Sequence, residues 1–236
     1  MPIKRQLLAN NEIYHVIIRG VADSLIFNDE SDYFRAIFSL YEFNTTKPIE
    51  IRQQREKRKI IKMYGGLSSV NRDSFLLVEI LAFCFMPNHI HLLLRQVKDE
   101  GISKFMRKFG TGYAGYFNRK HRRKGYLFQG RFRAIHIEND AQLKAVFTYI
   151  HTNPISLIEN SWKTKGTLNI KEAIQFLEEE YKWSSYSDYI GKKNFFSVTK
   201  RDFLLELMGS EDICKEMVDD WIEGKRVKGF IDVVLE

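Results

Sequence analysis

This 236-residue chain predicts an α+β fold, a ferredoxin-like βαββαβ antiparallel sheet with helices on one face, followed by a mostly helical C-terminal extension. Three observations carry the prediction. A short β-branched run, Ile13 to Arg19 (IYHVIIR), ends at Gly20 and reads as a first strand. Two apolar runs, Phe75 to Phe85 and His89 to Gln96, are separated only by Met86-Pro87-Asn88, so they must be antiparallel neighbours. Stretches with helical spacing alternate with these runs.

Taken in order, Ser31 to Phe43 places Tyr33, Phe34, Ile37, Phe38, Leu40 and Tyr41 on a helix, with Asn28, Asp29 and Ser31 as candidate caps. About residues 44–74 form a polar, Lys/Arg-rich insertion predicted to carry its own short helix. Phe75 to Phe85, broken only by Glu79, has the pattern of a strand buried on both faces. Ile102, Phe105, Met106, Phe109, Tyr113, Tyr116 and Phe117 mark the next helix, in which Gly110, Gly112 and Gly115 suggest close packing. A loop from Tyr126 leads into a fourth strand (RFRAIHI), and Asn139 caps a helix that stops before Pro154. Residues 1–156 are thus read as one domain and 157–236 as the extension, with helices at Lys171 to Tyr181, Lys200 to Met208 and Glu211 to Glu223.

Composition narrows the function classes. Two cysteines, Cys84 and Cys214, suggest neither a disulfide framework nor a Cys-based zinc site and fit a reducing cytoplasm. No run approaches the roughly 18 apolar residues of a membrane span, and no secretory leader is apparent, so a soluble, unprocessed protein is expected. The formal net charge is +7, unevenly spread: Gly101 to Ile137 holds ten Lys or Arg residues and no Asp or Glu, leaving 27 basic against 30 acidic elsewhere. Lys104, Arg107, Lys108, Arg119, Arg122, Arg123, Arg131 and Arg133 supply cations for phosphates, and Tyr126 and Phe128 supply rings for bases, with Gln129 between them. A solvated basic helix face beside core aromatics would leave the same pattern.

His89 and His91 are two apart on a strand, so both project from one face, about 6.6 to 7 Å apart along it, and can grip one metal ion. By itself His-Ile-His is a weak motif. On the helix after Asn139, Tyr149 and Asn153 fall within about 40° of each other and can face one site. A phenol is a poor nucleophile at neutral pH, so attack on phosphorus needs a cation on the phosphate and a fixed in-line geometry. A half-buried helix tyrosine and an asparagine ending a helix before proline are equally ordinary. His15 on the first strand and His136 on the fourth are read chiefly as sheet histidines, although His15 can share the face of the pair.

Together, FMPNHIHLLL (85–94), GYLFQGRFR (125–133), YIHTNP (149–154) and the opening YHVIIRG (14–20) resemble the single-tyrosine HUH transposases, IS200-like, and most of all the REP-associated tyrosine transposases of bacteria. The resemblance covers about residues 10–156, and Trp183-Ser184-Ser185-Tyr186 is similar to a segment found beyond the catalytic domain of those proteins. It implies that His89 and His91 bind a divalent metal, Mg2+ or Mn2+, and that Tyr149 forms a 5′-phosphotyrosine link and frees a 3′-hydroxyl. Asn153 stands where relatives place a longer polar side chain, often Gln, that completes the metal shell. The implied partner is single-stranded or hairpin DNA in the bacterial cytoplasm, at the nucleoid, with no membrane; both monomers and swapped homodimers occur among such proteins. Two other readings stay open: a binding module of the RRM type, whose signature is absent here, and a metal-dependent hydrolase using water. Tyr113, Tyr116 and Tyr126 are the reserve nucleophiles.

Overall fold

In a computed structural model of the chain, which describes residues 8–49, 73–167 and 169–224, four strands form one antiparallel sheet in the order β2-β3-β1-β4. The strands are β1 (Ile13–Arg19), β2 (Val78–Met86), β3 (His89–Gln96) and β4 (Arg133–His136). Between them run α1 (Glu30–Phe43) and α2 (Gly101–Lys120), and after β4 comes α3 (Asp140–Thr152). This is the expected βαββαβ order. The expected short helix of the insertion lies outside the described residues.

Pro87 and Asn88 close the β2–β3 hairpin as a two-residue turn, with Met86 opposite His89 and Cys84 opposite His91. β1 lies on the other side of β3, with Ile17 opposite His91 and Arg19 opposite His89. Directly opposed residues share a face. One face therefore carries Val16, Ile18, Phe85, Ile90 and Leu92, and the other His15, Ile17, Arg19, His89, His91 and, through its pairing with Ile17, Arg133.

α1 and α2 pack together on the first face: Phe27 stacks on Phe85 and meets Tyr113, and Phe128 fills the space beside Gly110 and Ile18. α3 crosses the second face, its Tyr149 ring edge-on to His91 and His15. Both faces are thus covered, which explains why β2 and β3 are almost continuously apolar rather than alternating.

Element ends follow local chemistry. Asp29 and Asn139 cap α1 and α3 by accepting from Asp32 N and Gln142 N at 3.2 and 2.9 Å. β2 starts at Val78 rather than Phe75, because residues 73–75 form a 3₁₀ turn and the Asn44 side chain takes the backbone N–H groups of Leu77 and Val78 at 3.2 and 3.1 Å. β4 is four residues long, so Arg131 precedes it instead of sharing it with Arg133.

The extension adds α4 (Trp162–Lys165), α5 (Ile170–Gln175), which continues as a π turn over Phe176–Glu180, α6 (Tyr186–Tyr189), α7 (Asp202–Met208) and α8 (Glu211–Ile222). It does not hang free. Trp183 to Ser185 lies along the outer edge of β2, with Phe85 N donating to Trp183 O and Ser185 N to Phe83 O at 2.9 and 3.0 Å. That pairing protects a sheet edge that would otherwise present unpaired backbone groups. Cys84 and Cys214 are both free and buried.

The three glycines of α2 divide by position. A Cβ at Gly112 would stand 2.3 Å from the Phe43 ring of α1, whereas one at Gly115 would meet nothing within 4 Å. Gly112→Ala is expected to destabilise by about 1–3 kcal/mol through overpacking, and Gly115→Ala to stabilise by about 0.5–1 kcal/mol through helix propensity. Urea unfolding of the two variants checks the contrast, and equal effects would refute the assigned helix contact.

Candidate active site

Two imidazoles, an amide and a phenol converge where α3 crosses the sheet. The antiparallel hairpin puts His89 and His91 on one face with ring centroids 4.7 Å apart and planes at 84°. Both are largely buried, at 8% and 2% exposure. Asn153, one residue past α3 at the start of the 3₁₀ turn Asn153–Leu157, brings its Nδ2 to 2.8 Å from His91 Nε2. Pro154 follows, and this break in the helix aims the amide down onto the strand. One turn earlier, the Tyr149 ring stands edge-on to His91 at 5.6 Å. His89 Nδ1 meets Asn88 Oδ1 at 2.6 Å, so the hairpin turn orients the imidazole that follows it.

Do these groups suit a metal? Asn153 Oδ1 is buried with no hydrogen-bond partner. A half-turn of the amide exchanges its oxygen for its nitrogen, which would place that oxygen beside His91 Nε2. Two ligand atoms each about 2.1 Å from one octahedral ion are about 3 Å apart, close to the 2.8 Å seen here. Two imidazoles and an amide oxygen therefore fit a divalent ion whose remaining positions go to oxygen. The shorter Asn reaches the histidine because the chain turns into a 3₁₀ helix there.

Among the described residues, the only other group of this kind is Asp29, Asp32 and His121. Lys120 Nζ already sits in it, 2.6 Å from Asp29 and 2.8 Å from Asp32, and that ammonium holds the Asp29 carboxyl down to about 2. It is an α1–α2 clasp.

The cations and rings of the basic segment separate by place. β3 runs from His89 to Gln96, and Lys104, Arg107 and Lys108 lie in the first turns of α2, just beyond the Gln96 end. Lys108 Nζ is bound to the backbone carbonyl of Lys47 at 2.8 Å, and Lys104 to that of Asp99 at 2.9 Å. Arg119 lies in the last turn of α2 and Arg122 and Arg123 just beyond it, and the segment after them returns alongside β1: Val21 N donates to Leu127 O and Gln129 N to Arg19 O. Arg131 and Arg133 continue that path, and Arg133 projects from the face that holds the histidines. Tyr126, 87% exposed, stands out from this loop, but Phe128 is packed inward. Tyr113 is wholly buried and donates to Ile26 O at 2.6 Å, so it is no reserve nucleophile.

One contribution was raised by the sequence without a role, and two escaped it. His15 is fully buried, its Nε2 2.9 Å from His91 Nδ1, with the two rings stacked. Its alternation with Ile17 was the available signal. Arg19, opposite His89, adds a cation at the same end of the sheet. His151 carries no such pattern: it faces away from the pair, with Nε2 2.8 Å from Ser185 Oγ, and thereby ties α3 to the extension along β2. His136 lies on the opposite face against Tyr14 and Glu12.

Residues 48–153 match the family model described as Transposase IS200 like, a span that contains His89, His91, Tyr149 and Asn153. Over that segment the chain is similar to the IS200-like transposase family. No curated protein matches the sequence. Among solved structures, the one described as the REP-associated tyrosine transposase bound to a REP hairpin has a TM-score of 0.38 at 13% identity, covering 66% of this chain and 74% of that one. tRNA(His) guanylyltransferase from Saccharomyces cerevisiae gives a TM-score of 0.33 at 12% identity, covering 76% of each. No described helix is long and apolar enough to cross a membrane.

Burial sets the charge state of two histidines. His15 and His151 are both lowered to about 3, by desolvation first, with Arg133 adding to the effect at His15. Folded protein therefore keeps His151 neutral while the unfolded chain takes up a proton below its ordinary 6.5. Stability must fall as pH drops from about 6.5 towards 3, by about 1.4 kcal/mol per pH unit for each such histidine. Urea unfolding across that window should show a shallower slope in His151→Phe than in the wild type by one histidine's share, and identical slopes would refute the burial effect.

Proposed function

We propose that this protein cleaves and rejoins single-stranded DNA through a covalent link to Tyr149. The observation that carries the reading is the convergence of His89, His91, Asn153 and Tyr149 on one face of the sheet, inside the segment that matches the transposase family. His89, His91 and Asn153 would hold the divalent ion, Mg2+ or Mn2+. When bound, that ion supplies positive charge against the phosphate and so favours attack by a weak nucleophile.

The remaining steps belong to the chain. Tyr149 Oη attacks phosphorus and loses its proton; the bond from phosphorus to the 3′ oxygen breaks, and that oxygen leaves as a hydroxyl, taking up a proton. The 5′-phosphotyrosine so formed keeps the energy of the phosphodiester, and attack by another 3′-hydroxyl reverses the reaction, so no high-energy cofactor is needed. His15 and His91 flank the tyrosine ring and limit its rotation, which favours a fixed line of attack. Arg133, with Arg131, Arg122 and Arg123 along the returning loop, provides cations for a strand laid across that end of the sheet, and exposed Tyr126 offers a ring on which a base can stack. A hairpin beside the cleaved site is the expected DNA form, following the family resemblance.

Against a plain binding module of the RRM type stands the second sheet face. Such modules lay RNA on that face, and here α3 covers it.

The deciding experiment is incubation with a library of single-stranded hairpin DNAs and Mn2+, followed by denaturing electrophoresis. A covalent protein–DNA adduct is expected in the wild type. Tyr149→Phe removes one oxygen and keeps the ring, so adduct and cleavage should disappear together while DNA binding and stability survive. An adduct retained in Tyr149→Phe would reassign the nucleophile; efficient cleavage with no adduct in the wild type would favour water. His89→Ala with His91→Ala should abolish cleavage in a protein that still folds.

Binding should also weaken steeply with salt, since each neutralised phosphate releases counterions and contributes a slope of about −0.7 on single strands. Substituting Arg131 and Arg133 should flatten the plot of log affinity against log salt more than substituting Lys104 and Lys108, which are tied to backbone carbonyls at the far end of the sheet. Equal flattening would place the DNA elsewhere.

A further inference from the structure

His15 flanks the Tyr149 ring, but that packing role does not explain its hydrogen bond to His91. It is wholly buried on β1, and its Nε2 lies 2.9 Å from His91 Nδ1, with ring centroids 5.1 Å apart and planes only 20° from parallel. Strand pairing does not force this contact: His15 stands opposite Leu93, and Ile17 stands opposite His91, so the two imidazoles meet on the diagonal.

A neutral imidazole carries one N–H and one lone pair. For His91 to offer its Nε2 lone pair on the side where Asn153 sits, its proton must be on Nδ1, and a buried Nδ1–H needs an acceptor. His15 Nε2 is placed to be that acceptor. The consequence for His15 is that its own proton goes to Nδ1, an atom that is buried with no partner. A side chain chosen for packing alone would avoid such an orphan, as leucine or isoleucine would. Nor is His15 itself suited to be a metal ligand, because its Nε2 addresses the far side of the His91 ring from the Asn153 amide.

We infer that His15 is a positioning residue that holds His91 in the Nδ1–H tautomer and fixed ring plane, so that His91 Nε2 is presented as a ligand for a divalent metal. The inference rests on the metal reading of His89, His91 and Asn153 given above. Partners of this kind raise the basicity of a ligating imidazole and fix its orientation, and their loss typically weakens metal binding about 10–100-fold. The Tyr149 ring lies edge-on to both imidazoles, at 6.1 Å from His15 and 5.6 Å from His91, so the same contact braces the tyrosine's surroundings.

The test uses the full chain as wild type, His15→Phe, which keeps a ring and removes the acceptor, and His15→Gln, which returns an acceptor oxygen at similar reach. Two-dimensional ¹⁵N–¹H NMR of metal-free protein reads the His91 tautomer, and calorimetric titration with Mn2+ in the absence of DNA reads affinity. Expected are an Nδ1–H His91 in the wild type and in His15→Gln, an Nε2–H form in His15→Phe, and Mn2+ binding about 10–100-fold weaker in His15→Phe and largely restored in His15→Gln. An unchanged tautomer and unchanged Mn2+ affinity in His15→Phe would overturn the inference. Should His15→Phe not fold, loss of the Nδ1–H form in His15→Gln would overturn it equally. A wild type that holds His91 as Nδ1–H and yet takes up no Mn2+ would sink the metal reading, while still supporting the hold of His15 on the ring.

Discussion

The register between β1, β3 and β2 is the constraint on which the rest of the molecule depends. Side chains alternate along a strand with period two, so a slip of one residue would send His89 and His91 to the face that packs under α1 and α2 and bring Ile90 and Leu92 to the site. The two-residue turn at Pro87-Asn88 sets the β2–β3 register by closing Met86 directly onto His89. Burial of both faces then holds it, because neither face can accept the other's residues without placing imidazoles in an aromatic core.

α3 is positioned by that same face and then by its surroundings. Leu143, Val146, Phe147 and Ile150 supply its apolar side, all buried, and Asn153 reaches His91 at its end. From the other side, His151 meets Ser185, whose oxygen also accepts from Phe83 N at 3.0 Å in the edge strand β2. The tyrosine's helix is therefore clamped between the sheet and the extension, and the extension is part of what fixes Tyr149. Through linked positions such as these, a substitution remote from the site can disturb the geometry that an in-line displacement needs.

Charge is organised with the same economy. The basic segment divides into cations that close the fold, such as Lys120 between Asp29 and Asp32, and cations along the loop beside β1. The loop reaches the site end because Leu127 and Gln129 bond to Val21 and Arg19, on either side of Gly20. A Cβ at Gly20 would stand 2.2 Å from the Ser24 carbonyl, so the close passage there requires glycine.

By itself the sequence determined what local rules govern. β-branched and apolar runs identified β1, β2 and β3, and the 3.6 period the helices α1, α2 and α3; Asp29 and Asn139 marked helix starts that the structure keeps; and His-x-His on a strand with Tyr and Asn one turn apart on a helix named the candidate site. The ends of β2 and β4 were not legible, because Asn44 from a distant helix end caps one and pairing with β1 limits the other. Nor were Phe128 and Lys108 distinguishable from solvent-facing neighbours, since a basic, aromatic segment reads alike whether its members face DNA or the core. Alternation allowed His15 the face of the His pair but not its bond to His91 Nδ1, and nothing in the run around His151 points to Ser185, 34 residues later. Those choices were left to the tertiary structure, because they depend on which faces meet across strands and helices far apart in the chain, and local periodicity carries no information about distant partners.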